Sequence, residues 1–139
     1  MLMKWRDSTI DIDLKLVPEE DALFRALPQL KERLEMNIEL AAPDQFIPAI
    51  DGWEERSLLI DSEGPLSFYH YDFYSQALSK IERGHKRDVA DVHAMVRLGL
   101  IDPAVAMGYF TQIESKLFRY PAVDPPSFRR AVETIIQNI

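Results

Sequence analysis

The sequence contains no cysteine, and its first glycine is Gly52. The absence of cysteine excludes disulfide bonds and thiolate zinc sites, and it is typical of proteins from a reducing compartment. No apolar run approaches the ~20 residues that a membrane-spanning helix requires. The first residues lead into a strand-like alternation and not into the apolar stretch of a signal peptide. We therefore expect a cytoplasmic protein without a membrane partner.

The sequence also lacks an excess of basic residues. Its net charge is −7, with 7 basic and 15 acidic side chains in residues 1–70 and 9 basic and 8 acidic side chains in residues 71–139. A protein that binds nucleic acid mainly through phosphates needs a basic surface, so no strong nucleic-acid-binding function is predicted. Most of the acidic excess is typical of a solvated surface, but it also provides carboxylates for a divalent cation.

The composition is that of an ordinary globular domain. Of the 139 residues, 47% are hydrophobic and 28% are charged, which argues against wholesale disorder. A chain of this length can close a single sizeable core. The sequence shows no repeat, no low-complexity tract and no linker. We therefore expect one domain over residues 1–139, in which residues 1–71 form the sheet and residues 72–139 are helical.

Apolar and polar residues alternate over residues 8–17, which predicts a strand with one buried face. A helix that opens at Pro18 follows, and Pro28 is expected to kink or split it because proline removes a backbone hydrogen bond. Three further elements are predicted before residue 72: a strand over residues 37–41, a loop over residues 43–55 with room for one short helical turn, and a hairpin of strands at residues 57–60 and 66–71.

Helical spacing takes over after residue 72 and predicts about four helices. Two of them begin at an Asp-Pro pair, at Asp102 and Asp124, because aspartate favours the N-cap and proline the first helical position. The expected architecture is a small mixed β-sheet followed by a helical half, an α/β chain of the α+β kind.

An aromatic-rich stretch spans the end of the hairpin and the start of the next helix, at Phe68, Tyr69, Tyr71, Phe73 and Tyr74. A nucleic acid base could stack on such residues. Core packing between sheet and helix is the favoured interpretation, because aromatic side chains mostly supply buried area.

Two carboxylates lie on the first strand, at Asp11 and Asp13. Residues i and i+2 of a strand project from the same face, so these side chains are expected side by side. Adjacent carboxylates repel unless a positive charge lies between them, and Mg²⁺ binds carboxylates together with substrate phosphates. Glu39 on the second strand is the candidate for a third acid. The alternative is that Asp11 and Asp13 face water, since such short patterns often arise by chance.

The segment Arg6-x-Ser8-Thr9-x-Asp11-Ile12-Asp13-Leu14 resembles the R-x-T-x-D-[IL]-D-[IL] strand of the DNA polymerase beta-type nucleotidyltransferase superfamily. It is most similar to a bacterial group that includes the nucleotidyltransferase toxins of abortive-infection systems. Six downstream segments share the resemblance: residues 37–41, 52–57, 69–72, 76–85, 88–92 and 120–125.

This resemblance implies roles for particular residues. Asp11, Asp13 and Glu39 match the metal ligands, although the superfamily usually has aspartate at the third position. Lys80 matches a helix lysine that contacts the phosphates of the nucleotide, as a flexible point charge can. Asp88 or Asp91 matches an acid at the active site of the superfamily. The resemblance assigns a catalytic role to Asp88, and it assigns Asp91, together with Arg6 and Thr9, to nucleotide binding.

One element of the superfamily does not occur in this sequence. The superfamily has a Gly-Gly or Gly-Ser turn upstream of the carboxylate strand, at a helix N-terminus whose N–H groups hold the triphosphate. Here no glycine precedes Gly52. Either the coding region extends upstream of Met1, or this phosphate-binding turn has been lost.

The sequence therefore leaves two functions open. One is transfer of a nucleoside monophosphate from a nucleoside triphosphate to an unidentified hydroxyl acceptor, with Mg²⁺ as cofactor. The other is a catalytically inactive relative that serves as an interaction module, with an antitoxin partner or in a homo-oligomer. The acids and the lysine favour the first function, and the missing glycine turn favours the second.

Overall fold

A computed structural model describes residues 11–13, 15–17, 21–35, 37–39, 41–63 and 66–138. Residues 1–42 and residues 43–139 form two compact units, which are described separately below. Residues 8–10 and 14 of the predicted first strand, the predicted helix start at Pro18 and the nucleotide-binding candidates Arg6 and Thr9 lie outside the described residues. Residues 15–17 are described and are not part of a strand, so the prediction is wrong for that end.

The first unit contains two strands joined by a helix. Strand β1 (Asp11–Asp13) pairs in parallel with strand β2 (Asn37–Glu39), and helix α1 (Asp21–Leu34) connects them. Parallel strands require such a crossover, because a tight turn cannot return the chain in the same direction. Asp21 in the first turn of α1 and Lys31 in its last turn carry the charges that the helix dipole favours.

Helix α1 runs through Pro28 as one continuous helix, so the predicted split does not occur. Pro28 is exposed. At an exposed position, water can hydrogen-bond the carbonyl that the proline leaves without a donor, which lowers the cost of keeping the helix intact.

The second unit opens with short elements. A 3₁₀ turn at Pro43–Gln45 is followed by the one-turn helix α2 (Trp53–Arg56), and strands β3 (Leu58–Glu63) and β4 (Leu66–His70) form an antiparallel hairpin. The predicted hairpin is confirmed. Its register is interrupted by an irregularity between Leu59 and Asp61.

The rest of the second unit is helical, as the sequence predicts. It contains α3 (Phe73–Arg83), α4 (Lys86–Arg97), α5 (Pro103–Glu114), a 3₁₀ turn at Leu117–Arg119 and α6 (Pro125–Gln137). The expected α+β class is confirmed. Within the described residues, no helix is both long enough and apolar enough to cross a membrane.

The predicted Asp-Pro starts of α5 and α6 are both present. Asp102 Oδ1 accepts hydrogen bonds from the backbone N–H groups of Ala104, at 2.8 Å, and Val105, at 3.3 Å, and so satisfies two donors that the first turn leaves free. Asp124 also occupies an N-cap position, but its carboxylate accepts from the hydroxyl of Ser127 and makes no backbone cap bond.

The core of the second unit is built by the facing sides of its helices. Phe110 of α5 and Phe128 of α6 meet edge to face, with ring centroids 5.0 Å apart. Twelve further apolar residues have a relative exposure of 1% or less: Ile47, Ile50, Ala77, Leu78, Ile81, Val92, Ala94, Met95, Ala106, Ile113, Leu117 and Val132. Those on α3, α4, α5 and α6 recur at helical spacing, which is why the sequence predicts the four helices well; Ile47, Ile50 and Leu117 lie outside these helices.

The aromatic-rich stretch is only partly buried. Phe73 at the start of α3 is 6% exposed, whereas Phe68 and Tyr69 on β4 are 48% and 56% exposed. The prediction of core packing is therefore wrong for the two strand residues. Within the described residues, β4 pairs only with β3, so the hairpin has no further strand to help bury its side chains.

We expect Phe110→Ala to lower the free energy of unfolding by about 3–5 kcal/mol, because it leaves a cavity beside Phe128. The measurement is urea denaturation followed by circular dichroism. Phe118→Ala is the matched control: Phe118 is 75% exposed, and its truncation should change stability by less than about 0.5 kcal/mol. Equal losses in the two variants would contradict the described core.

Candidate functional site

The carboxylate residues of the first unit lie on the paired strands β1 and β2. Their parallel register sets Asp11 opposite Asn37 and Asp13 opposite Glu39. Paired positions on neighbouring strands are separated by only about 4.8 Å. The backbone thus brings Asp13 and Glu39 to adjacent positions, and the role of Asp11, Asp13 and Glu39 as metal ligands stays a prediction.

In the second unit, helices α3 and α4 bring together three of the residues singled out in the sequence. Lys80 Nζ donates a hydrogen bond to Asp91 Oδ2 at 2.8 Å and lies 3.8 Å from Asp88 Oδ1. Lys80 lies three residues before Arg83 on α3, and Asp88 lies three residues before Asp91 on α4. Residues three apart share a helix face. The two positive charges on α3 therefore face the two negative charges on α4.

Arg83 is a member of this cluster that the sequence analysis did not identify as a site residue. Its guanidinium donates a hydrogen bond to Asp88 Oδ1 at 2.7 Å. Gly84, with a left-handed φ of 73°, ends α3 and turns the chain into α4. Arg83 and Asp88 are therefore only five residues apart, and the turn places them face to face. A basic and an acidic residue five positions apart, with a glycine between them, form a pattern from which this pair could have been predicted.

The cluster balances two buried carboxylates with two cations. Asp88 and Asp91 are almost completely buried, a position that costs several kcal/mol per ionised group unless it is paired. Asp88 Oδ2 is buried and accepts no hydrogen bond from the residues that the structure describes. A buried acceptor of this kind retains capacity for a donor from water or from a ligand.

Lys80 remains partly accessible within this cluster. Its side chain is 17% exposed, and the hydrogen bond to Asp91 uses one of the three N–H donors of the ammonium group. The arrangement fixes the position of the Lys80 ammonium without using all of its hydrogen-bonding capacity. Contact between Lys80 and a phosphate stays a prediction.

A second buried ion pair joins α2 to the start of α3. Arg56 donates from Nε to Asp72 Oδ1 at 3.0 Å and from a terminal nitrogen to Asp72 Oδ2 at 2.9 Å. Asp72 also caps α3, because it accepts from the backbone N–H groups of Tyr74 and Ser75. The hydrogen bond with Asp72 raises the pKa of Arg56. Sequence analysis did not identify this pair, although an aspartate directly before an apolar helix start is an N-cap signal.

Aromatic stacking supports the same junction. Trp53 of α2 stacks on Tyr71 with ring centroids 4.7 Å apart and planes 2° from parallel, and the guanidinium of Arg56 lies 4.4 Å from the centre of the Tyr109 ring. Burial raises the pKa of the Tyr71 phenol. Two of the sequence segments that carried the family resemblance, residues 52–57 and 69–72, are therefore in direct contact.

Gly52 permits this junction sterically. Its φ of 81° lies in the left-handed region, and a Cβ atom built there would approach the Arg56 guanidinium to 2.7 Å. Arg56 also donates to the carbonyl of Asp51 at 2.8 Å, directly beside the glycine. A side chain at position 52 would therefore adopt a strained φ and would require the end of the Arg56 guanidinium to shift.

Metal binding has no support in the second unit. Among the described residues, no three His, Asp or Glu side chains are grouped so that they could hold an ion. Asp88 and Asp91 are each hydrogen-bonded to a basic side chain, and that side chain supplies the positive charge that a metal would otherwise provide.

Most of the chain matches one known protein family. Residues 1–117 match the family described as nucleotidyltransferase of unknown function (DUF6036). The matched range contains β1, β2 and both ion-pair networks, and it ends before α6. No curated protein and no solved structure matches the chain.

We expect Asp72→Ala to lower the free energy of unfolding by about 2–4 kcal/mol, because it removes a helix cap and two charge-assisted hydrogen bonds. The measurement is chemical denaturation. Asp124→Ala is the matched control, since Asp124 holds the same N-cap position on α6 without a backbone cap bond, and it should cost less than about 0.5 kcal/mol. Similar costs for both variants would show that Asp72 is not a structural junction.

Proposed function

The chain belongs to this nucleotidyltransferase family, and from that premise we propose that it transfers a nucleoside monophosphate from a nucleoside triphosphate to a hydroxyl acceptor. The observation that carries the proposal is the parallel register of β1 and β2, which sets Asp13 opposite Glu39 and keeps Asp11 two positions away on the same strand. By the alternation of a pleated strand, these three residues are expected on one face of the pair.

The residues present fit a divalent cation. Asp11, Asp13 and Glu39 would supply carboxylate oxygens, which are the hard ligands that Mg²⁺ takes in proteins. When bound there, the ion would supply positive charge to the triphosphate and to the reacting oxygens. On one face of the strand pair, the three carboxylates would repel one another, and a bound cation would relieve that repulsion.

The proposed role of Lys80 is to hold a phosphate. Asp91 fixes the ammonium by a hydrogen bond of 2.8 Å, and the side chain is 17% exposed and makes no second hydrogen bond to the residues that the structure describes. Asp88, whose Oδ2 has no donor among the described residues, is proposed to accept the proton of the acceptor hydroxyl. Arg6, Thr9 and Asp91 are proposed to contribute to nucleotide binding.

The second candidate function is a catalytically inactive interaction module, acting in a homo-oligomer or with an antitoxin partner. Two observations favour it. Residues 1–51 contain no glycine, so they contain no Gly-Gly or Gly-Ser turn of the kind that binds phosphate in the superfamily. Lys80 is also engaged by Asp91, an arrangement that braces α3 against α4 whether or not a nucleotide binds.

We expect the preferred nucleoside triphosphate, together with Mg²⁺, to raise the midpoint temperature of thermal unfolding, because a ligand that binds only the folded state stabilises that state. Asp11→Ala and Asp13→Ala should abolish the rise. Asp61→Ala removes an exposed acid from the hairpin and should retain it. Absence of a rise with any of the four common nucleotides in the wild-type protein would reject the transferase and leave the interaction module.

We expect Lys80→Gln to weaken nucleotide binding roughly 10- to 100-fold, the loss of one charge-assisted hydrogen bond to phosphate. Lys86→Gln, which removes an exposed lysine at the start of α4, should leave the dissociation constant unchanged. Isothermal titration gives both constants, and circular dichroism establishes that each variant is folded. If folded Lys80→Gln binds the nucleotide with unchanged affinity, the only role of Lys80 is to hold α3 against α4.

A further inference from the structure

The four charged residues between α3 and α4 divide into two separate pairs. Lys80 Nζ lies 2.8 Å from Asp91 Oδ2, a hydrogen-bond distance, but 3.8 Å from Asp88 Oδ1. Asp88 Oδ1 instead accepts a hydrogen bond of 2.7 Å from the Arg83 guanidinium. Each carboxylate therefore has a cation of its own. All four residues belong to the second unit, so their pairing is described without reference to residues 1–42.

Asp88 relies on Arg83 for the neutralisation of its charge. Its side chain is only 6% exposed, and Oδ2 accepts no hydrogen bond from the residues that the structure describes. A buried carboxylate that loses its partner is destabilising, because little water reaches it. Without Arg83, this carboxylate would attract the Lys80 ammonium, which is already 3.8 Å away. Lysine is a flexible point charge with three donors, so it can bridge Asp88 and Asp91.

Arg83 is held beside Asp88 by two features of the second unit. It is the last residue of α3, where Gly84 turns the chain into α4. On its other side, the guanidinium carbon lies 5.9 Å from the centre of the Phe46 ring, within the range of a cation–π contact. A guanidinium stays charged at every pH that a folded protein tolerates. Arg83 can therefore neutralise Asp88 permanently, whatever Lys80 binds.

The charge balance of the cluster determines what Lys80 can offer to a ligand. Lys80, Asp88 and Asp91 together contain one positive and two negative charges, and Arg83 supplies the second positive charge. An uncompensated carboxylate repels a phosphate, and an ammonium that bridges two carboxylates has fewer donors for one. Arg83 removes both obstacles through its contact with Asp88, without itself having to contact the phosphate.

We propose that Arg83 is a positioning residue for phosphate binding. By pairing with Asp88, it prevents the Lys80 ammonium from bridging both carboxylates and leaves Lys80 able to donate to a phosphate of the nucleoside triphosphate. The inference rests on the proposed function in one respect, which is the contact between Lys80 and phosphate. It adds that the affinity for phosphate depends on a residue that acts only through Asp88.

Isothermal titration with the four common nucleoside triphosphates and Mg²⁺ tests the proposal. Arg83→Gln should weaken binding roughly tenfold or more, because it leaves one carboxylate charge uncompensated beside the phosphate. The double variant Arg83→Gln with Asp88→Asn should bind like the wild type, since it removes the charge that Arg83 neutralises. Arg83→Lys, which keeps the charge, should retain most of the affinity. Arg97→Gln removes an exposed arginine from the last turn of α4 and is the matched control.

The double variant separates this role from two others. If Arg83 contacted the phosphate directly, or only held the helices together, adding Asp88→Asn would not restore binding, and that result would overturn the proposal. If Arg83→Gln does not fold, the double variant decides, because it buries no unpaired charge. Unchanged affinity in folded Arg83→Gln, together with a loss in Lys80→Gln, would overturn the role of Arg83 and leave the proposed function standing. A wild-type protein that binds none of the nucleotides would overturn both.

Chemical labelling tests the arrangement without a nucleotide. Acetic anhydride acylates the neutral amine of lysine, and peptide mass spectrometry gives the rate at Lys80 relative to the exposed Lys86 of the same molecules. In Arg83→Gln the relative rate at Lys80 should fall, because an ammonium between two carboxylates gives up its proton less readily. The double variant with Asp88→Asn should recover the wild-type rate. Equal relative rates in the wild type and folded Arg83→Gln would overturn the proposal, whatever the protein binds.

Discussion

Asp72 is the residue at which the elements of the second unit join. Its buried carboxylate receives two hydrogen bonds from Arg56 of α2 and caps the first turn of α3, and its own backbone N–H donates to the hydroxyl of Ser57. Removing this side chain would therefore release a helix start and a guanidinium together, while the backbone hydrogen bond to Ser57 would remain. The start of α3 is held by this one side chain, while apolar packing and the ion pairs with α4 hold the rest of the helix.

The ion pairs between α3 and α4 show why a charged residue can serve both structure and chemistry. Lys80, Arg83, Asp88 and Asp91 balance to zero charge within one helix interface. Such buried networks add little net stability compared with apolar packing, but they fix geometry because each partner is costly to leave alone. A lysine held in this way has a defined position before any phosphate arrives, which reduces the ordering cost of binding.

The sequence predicted local structure better than long-range pairing. The four helices of the second half and the hairpin follow from apolar spacing, the caps at Asp102 and Asp124 and a turn, all of which act over a few residues. The pairing of Arg56 with Asp72 spans sixteen residues and depends on a left-handed turn at Gly52, so periodicity could not reveal it. The burial of Phe68 and Tyr69 was predicted wrongly because an apolar side chain signals a need for cover without identifying what provides it.

The steric requirement at Gly52 also gives a criterion for sorting related sequences. The pattern is a glycine four residues before an arginine, with an aspartate sixteen residues after that arginine at the start of a helix. Each aligned relative either has this pattern or lacks it. Relatives that keep all three residues should share the junction between α2 and α3. Relatives that replace the glycine should have a different turn before the arginine but should keep the aspartate, since it also caps α3.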